Sequence, residues 1–145
     1  MRALLALAVG FCLLAGPTFA ADTPRTSTAF IDKGVQVITW AGLDGDDTGV
    51  PVNVSKCKEL TAHIYSGTYG GSTITLEGSV DPRGNPSHAD HANAEWAGLA
   101  DNSGTAISKT ADAIESVQEH PVWFRPKTAS GTGANVAVGL VCQYQ

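Results

Sequence analysis

The chain has 145 residues, 16% of them charged and 43% hydrophobic, with 14 acidic against nine basic side chains and a formal net charge of −5. That length suits one domain, and the hydrophobic share is enough to build a core. The acidic balance argues against a nucleic-acid partner, because Lys and Arg that displace counterions from phosphates supply most of that affinity.

The opening stretch, MRALLALAVGFCLLAGPTFAADTP, places one Arg at residue 2, an apolar run over residues 3–14, and small residues around Ala20. This is the three-part pattern of an export signal over residues 1–21, with cleavage after Ala20. The apolar run is shorter than the roughly 20 residues a membrane span needs, so no membrane association is expected once the segment is removed; a retained anchor is the alternative. Its loss takes away Arg2 and no acidic residue, which makes the remainder more acidic still. Residues 22–30 are polar, contain Pro24 and read as a flexible lead-in. Residues 31–145 read as a single domain.

Within that domain, eight short runs rich in Val, Ile, Thr and aromatics are each closed by Gly, Pro, Asn or Asp: 34–41, 50–54, 60–66, 72–79, 94–99, 106–109, 122–127 and 134–143. Such a series predicts an all-β protein, an antiparallel sandwich of Ig-like or jelly-roll-like type with about seven to eight short strands. Around SGTYGGSTITLEGSVD the chain reads as a tight hairpin, with Gly70 and Gly71 at its turn and Gly78 closing its second arm. Alternation turns Ile74 and Leu76 of that arm inward, and does the same for Val136, Val138, Leu140 and Cys142 in the last run. Only TADAIESVQ, residues 110–118, has helical spacing, and Pro121 limits it to a turn or two of helix, with a strand as the alternative.

Cys12 lies in the signal-like segment, which leaves Cys57 and Cys142. Two cysteines in one small exported domain point to a disulfide, against two unrelated buried thiols. Loop-closure entropy over that separation makes such a bridge worth about 4 kcal/mol.

Residues that could carry chemistry are few. PSHADHANAEW offers His88 and His91 with Asp90 and Glu95 as a zinc or copper set, but a solvated loop is the plainer reading of a stretch rich in Pro, Ala and Asn. Asp44, Asp46 and Asp47 suggest calcium, yet an EF-hand loop beginning at Asp44 would place Ser55 where a bidentate Glu is needed, and a turn explains the cluster as well. There is no G-x-S-x-G elbow, no catalytic-cysteine signature and no glycine-rich phosphate loop. The sequence therefore assigns no catalytic residue and no cofactor, and it reads as a non-enzyme. Asn53-Val54-Ser55 matches the glycosylation acceptor pattern, which has meaning only in a eukaryotic secretory pathway. Trp40, Trp96 and Trp123 could form a sugar-stacking platform or could fill the core. Trp123 and Phe124, adjacent in one strand, should face opposite ways, leaving one of them for solvent or a partner subunit.

S-G-T-Y-G-G-S-T-I-T-L-E-G-S, then Trp96, then E-H-P-V-W-F-R-P-K-T-A-S-G over residues 119–131, together resemble a pattern of small β-sandwich virion proteins of tailed bacteriophages, of head decoration (cement) or accessory type. The similarity covers roughly residues 35–140, and its motifs are turn and packing features. The usual N-D-G turn is replaced here by Val80-Asp81-Pro82-Arg83-Gly84, and the export signal is foreign to proteins that assemble in a host cytoplasm. The resemblance implies a structural protein that binds the major capsid protein or itself, as a homo-oligomer, on a virion. Arg125, beside Pro126, is then a candidate grip on an acidic neighbour or a cover for its own sheet, and Trp123 a second candidate partner contact. The rival is a secreted or periplasmic binding module for glycans or a surface protein. A third reading is a small secreted metalloprotein using His88 and His91.

Overall fold

The computed structural model describes residues 25–144 except 33 and 66. The signal-like segment over residues 1–21 lies outside the described residues. Among the described residues ten strands form two antiparallel sheets that pack as a β-sandwich. In chain order they are β1 (Arg25–Asp32), β2 (Val35–Leu43), β3 (Val52–Asn53), β4 (Glu59–Tyr65), β5 (Thr73–Ser79), β6 (Ala97–Gly98), β7 (Ser108–Lys109), β8 (Ala113–Ser116), β9 (Trp123–Ala129) and β10 (Val136–Gln143). The first sheet runs β1-β2-β10-β4-β8; the second runs β3-β9-β5-β6, with β7 also on β5. The helical pieces among the described residues are two short 3-10 turns, Pro82–Gly84 and His91–Asn93.

Side-chain alternation builds the core. Ile74 and Leu76 of β5 join Val136, Val138 and Leu140 of β10 in one buried cluster, as the strand pattern anticipates. Trp40 of β2 is fully buried, tilts against Phe124 of β9 with ring centroids 5.7 Å apart, and donates its indole N–H to the Val50 carbonyl at 3.0 Å. It thus bridges the sheets while satisfying its one polar atom. Cys57 and Cys142 are bonded, with Cα atoms 5.2 Å apart, so the turn before β4 is fastened to the last strand of the same sheet.

Three expectations are corrected. Residues 25–30, expected in a flexible lead-in, belong to β1, where Thr28 pairs with Ile38 and Ala29 with Val37; polar Thr and Ser suit an edge strand once a partner is available. Residues 110–118 hold no helix. Their middle is β8, in which Ala113 and Glu115 turn toward the core side and Ile114 outward, because pairing with β4 imposes a period of two.

The third correction concerns the glycine stretch. β4 and β5 do not pair: β4 lies between β10 and β8, and β5 lies in the other sheet beside β9. Gly70 and Gly71, with φ of +52° and +80°, form a corner that carries the chain from one sheet to the other. A Cβ on Gly70 would stand 2.7 Å from the Thr132 backbone, so the corner is also a close approach to the β9–β10 connection. Gly78 is no turn residue. It is buried within β5, where a Cβ would meet Leu99 at 2.6 Å and Pro121 at 2.8 Å.

Candidate functional site

The titratable clusters singled out in the sequence are bound up in the chain's own structure. Asp44 accepts the Asn135 N–H at 2.9 Å, Asp46 accepts that of Ser130 at 2.9 Å, and Asp47 accepts that of Asp44 at 2.9 Å. Ser130 and Asn135 are non-glycine residues at positive φ, +54° and +57°. Asp44 and Asp46 therefore brace the two left-handed residues of the β9–β10 connection while Asp47 closes the aspartates' own turn, which is ample reason for their spacing. His88 Nδ1 accepts the Asp90 N–H at 3.1 Å, and His91 Nδ1 donates to the Arg83 carbonyl at 2.9 Å. Both rings fold their own loop, and among the described residues no group of three His, Cys, Asp or Glu gathers as a metal would require.

That loop, residues 80–96, laps over the outer face of the second sheet. Asp81 accepts the backbone N–H of Arg83 at 2.9 Å and its guanidinium at 2.6 Å, and also takes the Glu95 N–H at 3.2 Å. Hydrogen bonds from the Arg83 side chain hold the Asp81 carboxyl well below the usual carboxylate range. Beneath the loop Glu77 pairs with Arg125 at 2.7 Å and with Lys127 at 3.6 Å, while the Arg125 guanidinium lies 3.9 Å from the centroid of Trp96. Arg125 is 16% exposed, so its charge is engaged within its own sheet, by Glu77 and the indole. Trp123 is half-buried against Gly84, where a Cβ would stand 2.6 Å from the ring. Phe124 faces the other way and is buried, as adjacent strand residues must. An open depression of about 420 Å³ remains beside the loop, with Trp96, Glu95 and Asp81 on its wall.

The outer face of the first sheet is of another kind. One cross-strand row runs Ala29, Val37, Val141, Thr61, Ser116; the next runs Thr39, Gly139, His63, Ile114; a third pairs Ala137 with Tyr65. No Lys, Arg, Asp or Glu stands in these rows; the row beyond them, Val35, Gln143 and Glu59, brings one exposed carboxylate at the end of the face. The rings of His63 and Tyr65 stack with centroids 4.6 Å apart, and Tyr65 lies across Gly139. Ile114 is 69% exposed. A sheet face in water ordinarily carries polar side chains, so valine and isoleucine in these places are out of keeping with solvent. The signal of this face in the sequence is VAVGLVC, an unbroken apolar run in place of an alternating one.

No protein-family model, curated protein or solved structure matches the chain.

Proposed function

We propose that this chain is a non-enzymatic structural protein that works by presenting rigid surfaces to other subunits of an assembly. The observation that carries the reading is the use made of its charges. Asp44, Asp46, Asp81, Glu77, Arg83 and Arg125 are all engaged in bracing loops or covering the second sheet, while the middle of the first sheet's outer face is uncharged and partly apolar, with Glu59 standing at its end. Faces of that composition are typical of contact surfaces. Together with the motif resemblance, this supports a decoration or accessory protein of a phage particle bound to capsid subunits. Co-purification tests it: association with particles or with a major capsid protein is the expected outcome, and consistent failure to associate overturns it.

The Cys57–Cys142 bridge favours a second reading. Disulfides persist in oxidising compartments, and the same sandwich exported through its N-terminal signal would serve as a secreted or periplasmic binding module. Recovery from outside the cytoplasm, lacking residues 1–20 and with the two thiols oxidised, would select this setting over the virion.

A further inference from the structure

We infer that the outer face of the first sheet binds a second copy of this chain, sheet against sheet, about a two-fold axis. The inference rests on the proposed role as an assembly subunit and names one partner for it. β10 is the centre of the argument. Buried residues run without interruption from Val136 to Leu140, so Ala137 and Gly139, which point away from the core, are covered as well. Strands with apolar residues on both sides belong between two layers, and on the outer side of β10, among the described residues, the Tyr65 ring stacked on His63 lies across Gly139.

Charge selects the occupant. Covering an uncharged face with a charged one would strip water from groups left without partners, which is costly, so the matching surface must itself be uncharged. A second copy carries such a face by definition, and a two-fold contact sets like on like. The chain is acidic overall, at −5. Two copies repel wherever carboxylates oppose each other, and these rows are a place where they can meet without doing so. The size also suffices. Five strands about 4.8 Å apart and some six residues long cover about 24 by 20 Å. That is roughly 500 Å² per copy and 1,000 Å² for the pair, the lower bound for a specific interface.

Sedimentation equilibrium of the purified full-length protein tests the idea. A dimer is expected at about 100 μM, and Val141→Glu should weaken it by at least about 100-fold, since the two-fold brings the new carboxylates together. Ile114→Glu is the safer variant for folding, because that side chain is already largely exposed; it too should dissociate the dimer. Thr73→Glu, on the outer face of the second sheet, should leave it intact, with far- and near-ultraviolet circular dichroism unchanged in all variants. A wild-type monomer at that concentration overturns the inference, as does a dimer that Ile114→Glu and Val141→Glu leave untouched. A monomer that still co-purifies with particles removes the self-contact and spares the proposed function; a dimer that joins no larger assembly does the reverse.

Discussion

On the outer side of the second sheet Glu77 sits between Arg125 and Lys127 under the ring of Trp96, whereas the middle of the first sheet's outer side is taken by Val37, Gly139, Val141 and Thr61. The two sheets share one core and treat water differently. The second covers itself with its own loop and pairs its charges locally. The first has β1 and β8 at its edges, no loop comparable to residues 80–96 over it among the described residues, and a disulfide that locks its last strand. A sheet that supplies its own cover has little left to offer a partner, while an uncharged one held rigid is ready to receive another layer.

The largest way to break this contrast is to unfasten the first sheet. Reduction of Cys57–Cys142, or Cys57→Ser with Cys142→Ala, should lower stability by about 2–5 kcal/mol and the denaturation midpoint with it. Chemical denaturation with and without reductant reads the effect. Gly78→Ala acts on the second sheet, since the new methyl must displace Leu99 and Pro121. Overpacking of that sort costs about 1–3 kcal/mol, measurable as a fall in urea midpoint with an unchanged slope.

Smaller effects sharpen the comparison. Arg125→Met keeps the packing of the aliphatic stem but removes the ion pair with Glu77 and the guanidinium over Trp96. A loss of about 1 kcal/mol is expected, with a change in tryptophan fluorescence as the ring gains water. The smallest effect is one of pH. Asp81 is held below its ordinary value of 3.8 in the folded protein. Its contribution is therefore fully present above that value and fades as pH falls toward the depressed one. Acid titration of loop 80–96, followed by Trp96 and Trp123 fluorescence, should show loosening below about pH 4. Asp81→Asn should abolish that transition while leaving the first sheet's acid response unchanged.

How much of this was legible in the sequence varies from residue to residue. Ile74, Leu76 and the inward side of β10 follow from alternation, because the side-chain period of a strand is fixed by the backbone. Cys57 and Cys142 were a pair by elimination once Cys12 was set aside with the signal-like segment. Gly70 and Gly71 announced a turn and could not say which kind: a hairpin and a corner between sheets need the same backbone angles, and differ only in which strands become neighbours. Gly78 has no local signal at all, since Leu99 and Pro121, which forbid a side chain there, lie 21 and 43 positions further along the chain. Ile114 misled because Ala113, Ile114 and Val117, apolar residues at helical spacing, also satisfy a strand whose pairing exposes one of them. Nothing near Arg125 in the chain announced its neighbours: Glu77 and Trp96 lie 48 and 29 positions away and meet it only in the folded sheet.

By itself, then, the sequence determined the all-β class, the short-strand rhythm, the inward residues of the main strands and the identity of the two cysteines that could join. These depend on backbone periodicity and on residue type, which act over a few positions. Only the tertiary structure decided that β10 inserts between β2 and β4, that the loop over residues 80–96 covers one sheet, and that the middle of the other's outer face is free of charge. Those are matters of which distant strands share hydrogen bonds, and register between them is set by the packing of the whole core.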